Sequence, residues 1–154
     1  MKSAIFNLAG KDYAIDINDV REVIRLRKVT PVPDAAGFVE GVISLRGKVV
    51  TLINLRKKLG LEIKPLDKSS RIIVIQVNAH ALGMVVDSVS EVTDIQSEAI
   101  TTPDDTLAHA KYLTGIAKMG SRIILIVNIR ELLSSEDKSG IDGIFNKVEL
   151  RKKE

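Results

Sequence analysis

Two stretches of this chain match one another without a gap. GVISLRGKVVTLINLRKKL (residues 41–59) lies over GIAKMGSRIILIVNIRELL (residues 115–133), with Gly41/Gly115, Asn54/Asn128, Arg56/Arg130 and Leu59/Leu133 identical. Lys48 and Arg122 match in charge, and Val49-Val50 match Ile123-Ile124 in apolar character. A second pair, DINDVREV (residues 16–23) and VVDSVSEV (residues 85–92), shares Val20/Val89, Glu22/Glu91 and Val23/Val92. Both pairs run in the same order. The chain therefore folds as two similar small units. Their short strands at even spacing predict closed or nearly closed small barrels, because closure removes exposed edges. A lone barrel of this size buries little surface, so the two are expected to pack together.

Composition agrees with a mainly β fold built from aliphatic residues. The 154 residues are 45% hydrophobic but only 3% aromatic, so Ile, Val and Leu must form the core. The hydrophobic fraction is too high for a mostly disordered chain. Cysteine is absent, which excludes a disulfide scaffold, a thiolate metal site and a cysteine nucleophile. No apolar run approaches the roughly 20 residues needed to span a bilayer, and the N-terminus alternates, unlike a signal-peptide core. A cytoplasmic protein without direct membrane insertion is expected.

Alternation with period two places strands at 4–8 and 13–17, joined by the turn Ala9-Gly10-Lys11-Asp12. Residues 18–24 shift to helical spacing, with Val20, Val23 and Ile24 on one face and Asp16 or Asn18 as cap. Thr30-Pro31-Val32-Pro33-Asp34 is a loop, since two prolines lack amide donors. A tight hairpin turns at Arg46-Gly47, followed by a short helix at 55–59 that Gly60 stops. Residues 63–70 read as a linker. Further hairpins turn at Asn78-Ala79-His80 and Met119-Gly120-Ser121, with strands also expected at 91–95 and a last short helix at 129–133. A domain over 1–135 precedes a polar tail over 136–154, weakly amphipathic near 141–148.

No machinery for making or breaking bonds is visible. His80, read as an exposed turn residue, and His109, in a loop, have no metal-ligand spacing. No GxSxG elbow or glycine-rich phosphate loop occurs, and Asp104-Asp105 and Glu136-Asp137 read as solvated charge. No cofactor is expected. A nucleic-acid-binding barrel is the alternative, because such barrels stack bases on aromatics over a basic groove. Phe6, Phe38, Phe145, Tyr13 and Tyr112 put no aromatic pair on one strand. Residues 147–154 carry four basic and two acidic side chains, which leaves the body of the chain nearly neutral despite the formal charge of +3. A basic face on the folded body is missing, so nucleic acid is not an expected partner.

Binding to protein surfaces remains. Arg46-Gly47 holds a guanidinium on a rigid turn, where it either stays solvated or meets a partner carboxylate bidentately. The sequence VREV after an IDI strand, then TPVP, GVISLRGKVVTLINLRKKLG, GMVVDSVSEV and YLTGIAK with ILIVNIRELL closely resembles the CheW family, the chemotaxis coupling proteins. The motifs stand in the family's order from Ala4 to about Ser135, and the length suits a free-standing member. The resemblance implies two five-stranded SH3-like barrels packed on a shared core, with a few short helices. It implies a non-catalytic adaptor between the regulatory domain of the histidine kinase CheA and the cytoplasmic tips of membrane chemoreceptors, recruited to receptor arrays. Carried over by motif, Val20, Glu22 and Val23, Gly41, Arg46 and Gly47, Val86 and Val89, and Gly115 are the implied protein-binding residues.

Overall fold

Ala9 and Gly10 both adopt positive φ, +52° and +79°, and so turn the chain in the hand that a two-residue hairpin requires. They join β1 (Lys2–Leu8) to β2 (Lys11–Asp16). The computed structural model describes residues 1–77, 79–103 and 111–133. Arg46 and Gly47 repeat the device, at φ +51° and +77°, between β4 (Val39–Leu45) and β5 (Lys48–Asn54). The remaining strands are β3 (Val20–Arg25), β6 (Arg71–Val77), β7 (His80–Val86), β8 (Ser88–Asp94), β9 (Ile100–Thr101), β10 (Leu113–Met119) and β11 (Arg122–Val127). Two four-residue helices, α1 (Leu55–Lys58) and α2 (Ile129–Leu132), follow β5 and β11. The identical asparagines of the repeat cap them: Asn54 Oδ1 accepts from Lys57 N, and Asn128 Oδ1 from Arg130 N.

The helix expected at 18–24 is absent. Only Ile17–Asp19 makes a helical turn, of the tighter 3₁₀ kind, with Asp16 accepting from Asn18 N. From Val20 the chain is a strand whose exposure alternates residue by residue. The β-branched Val20, Val23 and Ile24 suit a pleated strand, and antiparallel pairing with β6 satisfies the backbone that one isolated helical turn leaves open. Val20 and Val23 therefore face opposite ways. His80 also departs from expectation: it opens β7 and is partly buried with its Nδ1 out of solvent. His109, the two acidic pairs and the amphipathic stretch of the tail lie outside the described residues.

The strands form two sheets, ordered β8-β1-β2-β11-β10-β9 and β3-β6-β7-β5-β4. Neither sheet is one half of the sequence. The first-half hairpin β1–β2 joins the second-half β8, β10 and β11, and the second-half hairpin β6–β7 joins β3, β4 and β5. Each half thus exchanges its strands with the other across two crossovers, β2 to β3 and β7 to β8. Both sheets curl shut. Thr30 exchanges two backbone hydrogen bonds with Val42 of β4, at 2.9 and 2.8 Å, and so ties the chain beyond β3 to the opposite edge. In the other unit the two-residue β9, a sixth strand beyond the expected five, follows β8 and pairs with β10.

Closure leaves strands buried on both faces, which is why RIIVIQV runs without polar alternation. One face fills each barrel: Ile43, Val50, Leu52, Ile72 and Val74 in one, Ile5, Ala14, Ala117, Ile124 and Ile126 in the other. The opposite face builds a larger core between the barrels, from Phe6, Leu8 and Ile15 against Ile53, Ile73, Ile75 and Met84, with α2 added through Ile129 and Leu132.

Candidate protein-binding surface

Glu22 and Arg46, 24 residues apart, form a two-pronged ion pair. Nη1 of Arg46 lies 2.5 Å from Oε2 of Glu22, and Nη2 lies 3.0 Å from Oε1. Glu22 stands on β3 and Arg46 on the β4–β5 turn, so the pair crosses the seam where the barrel closes. The left-handed backbone at Arg46 holds its side chain out of the turn, 72% exposed. The Arg46 hydrogen bonds hold the Glu22 carboxyl below the usual carboxylate range, with the nearby charges of Arg46, Arg27 and Arg21 acting in the same sense. The Glu22 carboxylate raises Arg46 in turn. The guanidinium fork expected to meet a partner carboxylate is thus already filled from within the chain.

The valines separate by role. Val20 and Val89 are half-buried against the core between the barrels. Val86 is 1% exposed within that core, so it supports the surface from beneath instead of lining a groove. Val23 is 40% exposed on the other face of β3. The glycines separate too. A Cβ on Gly41 would stand 2.3 Å from the Thr30 carbonyl oxygen, and its φ is +144°. One on Gly115 would stand 2.9 Å from Ile100 Cγ2. Each glycine is buried and sits at a register shift where its barrel closes, so each carries the closure. Gly47 is a turn glycine at which an added Cβ would meet no heavy atom within 4 Å.

Sequence reasoning missed two further charged groups. On the second barrel Glu91, the repeat partner of Glu22, bonds to Arg122 at 2.8 Å, and Arg122 also reaches Asp12 at 3.2 Å. The shared Glu of the two V-x-E-V motifs was the available signal. The other group is Arg56 with Asp87. Arg56 Nε and Nη2 donate to the Asp87 carboxylate at 2.7 and 2.5 Å, and Nη1 donates to the Glu62 carbonyl. The Arg56 hydrogen bonds, aided by the Ala9 amide, hold the Asp87 carboxyl low. Beside this pair opens a polar cleft of about 400 Å³, bounded by Asn7, Ala9, Lys64 and Ser88. A shallower groove of about 630 Å³ runs over Phe38, Leu61 and Ile63, with Lys57 and Lys58 at its rim. Among the described residues no three His, Asp or Glu side chains gather as metal ligands, and no helix is long and apolar enough to cross a membrane.

The chain matches the CheW-like domain family over residues 2–137. It is 36% identical over 143 residues to the chemotaxis protein CheW of Klebsiella aerogenes, covering 91% of this chain and 86% of that protein. It is 33% identical to CheW of Helicobacter pylori, covering 85% and 80%. The crystal structure of the scaffolding protein TtCheW from Thermoanaerobacter tengcongensis superposes with a TM-score of 0.78 at 34% identity, over 88% of this chain and 94% of that one. These matches give the nucleic-acid reading no support. With its family motifs in order and its two-barrel architecture shared with a solved relative, this chain is a member of the CheW family of chemotaxis scaffolding proteins.

Proposed function

We propose that this protein is a non-catalytic cytoplasmic adaptor that couples chemoreceptor tips to the regulatory domain of the kinase CheA within membrane-associated arrays. The observation that carries the reading is the pairing of half-buried Val20 and Val89 on the inter-barrel core with the two-pronged Glu22–Arg46 pair on β3 and the neighbouring turn. Recognition of a helical hairpin needs apolar side chains that are already held in place, with charge at the rim to set register. Val20 and Val89 supply the first, and Glu22 and Arg46 supply the second. Arg46 acts through Glu22: the ion pair ties β3 to the β4–β5 turn and leaves part of each charged group for a partner.

Residues 1–135 form the binding domain in this reading, and 136–154 a polar tail that is basic only from residue 147 onward. Gly41, Gly115 and Val86 serve by shaping the barrels, whereas Val20, Glu22, Val23, Arg46, Gly47 and Val89 stand nearer the partners. Signal transfer requires that the two receptor states make different contacts with the adaptor or the kinase, since equal affinity for both shifts no equilibrium. Co-purification with a CheA regulatory domain, followed by calorimetry with a receptor-tip fragment, tests the assignment. Arg46→Ala and Glu22→Ala are expected to weaken one of the two associations. Unchanged affinity for both partners in both variants removes the site.

A further inference from the structure

The two crossovers between the barrels are equivalent in the repeat yet differently built. From β2 to β3 the chain passes through the turn Ile17–Asp19. From β7 to β8 it passes through Asp87 alone. Asp87 is held through both its amide and its carboxylate. Its amide donates to the Asn7 carbonyl at 3.1 Å. Its carboxylate accepts from the Ala9 amide at 2.9 Å and from two nitrogens of Arg56. Ala9 keeps a left-handed backbone, disfavoured for a residue with a Cβ, in the conformation that offers this amide. The Arg56 side chain is only 11% exposed, so its charge-assisted bonds are partly shielded from water. At the other crossover the repeat partner of Arg56 is Arg130. It is 64% exposed, and its Nη2 stands 3.9 Å from Asp19, beyond hydrogen-bond length.

We infer that Arg56 and Asp87 are positioning residues that make the β7–β8 crossover the rigid corner of the molecule, while the β2–β3 crossover is the corner that yields. The consequence rests on the proposed function: Val89 is presented on a preset strand, and Val20 and Glu22 on one that adjusts to its partner. Local opening follows the number and shielding of the bonds that hold a segment, so the two corners differ in the free chain before any partner binds.

Amide hydrogen exchange followed by NMR on the full chain tests this. The amides of Ala9 and Asp87 are expected to exchange at least about tenfold more slowly than those of Asn18 and Val20. Asp87→Asn is expected to speed exchange at Ala9 and at position 87 at least about tenfold while leaving Asn18 and Val20, at the other corner, at their native rates. Arg56→Lys, which keeps the charge but loses the fork, does the same to a smaller degree, and serves if Asp87→Asn does not fold. Arg130→Ala leaves Asn18 and Val20 unchanged. Equal rates at the two corners of the native chain overturn the inference. So does an Asp87→Asn variant in which Asn18 and Val20 accelerate as much as Ala9, because the bonds at Asp87 then hold no one corner in particular. Failure of the chain to bind a receptor-tip fragment refutes the proposed function instead, because the exchange contrast is read without a partner.

Discussion

Gly41→Ala separates a residue that shapes the barrel from one that touches a partner. The native φ of +144° lies where only glycine is at ease, which costs a side chain about 1–3 kcal/mol. The new Cβ would sit 2.3 Å from the Thr30 oxygen and 2.8 Å from its carbon, both backbone atoms that cannot rotate away. Relief requires parting Thr30 from Val42, which forfeits two hydrogen bonds of about 1 kcal/mol each. Against this, alanine reduces the freedom of the unfolded chain by about 0.4–1 kcal/mol. The net loss is about 3 kcal/mol, a large part of the roughly 5–15 kcal/mol that holds a domain together. With a urea slope of about 2 kcal/mol/M, the unfolding midpoint falls by about 1.5 M. Gly47→Ala provides the comparison: its φ is also positive, but nothing lies within 4 Å of the added carbon, so only about 1 kcal/mol is at stake. Equilibrium urea unfolding followed by circular dichroism measures both. A Gly41→Ala midpoint equal to that of the native chain refutes the closure argument and returns Gly41 to the contact surface.

Other outcomes follow from the same geometry. Asp87→Asn leaves Arg56 shielded without its counter-charge and is expected to cost about 2–3 kcal/mol at pH 7, read by thermal or urea unfolding. Because folding lowers the Asp87 pKa, its contribution is present above the unfolded value of about 3.9 and disappears as pH falls through the folded value. The gap in stability between the native chain and Asp87→Asn therefore stays constant from pH 7 to about pH 5 and shrinks below about pH 4; a gap that widens on acidification contradicts the assignment. Ile73→Ala in the inter-barrel core should cost about 2–5 kcal/mol, whereas Val23→Ala on the exposed face of β3 should leave the unfolding midpoint nearly unchanged. A fragment ending at residue 66 holds β1–β5 but neither barrel, so it should be unfolded alone by circular dichroism and gain β structure when mixed with the fragment 67–154. Independent folding of either fragment contradicts the strand exchange.

Local chemistry made much of this molecule legible in the chain itself. Ala9-Gly10 and Arg46-Gly47 announce their hairpins because few residues accept two successive left-handed conformations. Gly60 announces the end of the first short helix, and the gapless repeat announces two units with a common plan. The segment 18–24 misled, because valines at positions 20 and 23 fit a helical face as well as a strand, and only the presence of β6 alongside decides between them. Arg56 and Asp87 lie 31 residues apart, and nothing in their spacing tells that one carboxylate closes the gap between two barrels.

Order along the chain thus determined most of the strands, the turns and the family. The exchange of strands between halves, the burial of Val86, the filling of the Arg46 fork by Glu22 and the unequal crossovers were decided only by tertiary packing. Turns and caps depend on neighbours a few residues away, so residue order suffices for them. Which edge a strand joins depends on surfaces that exist only once the other half of the chain has folded against it.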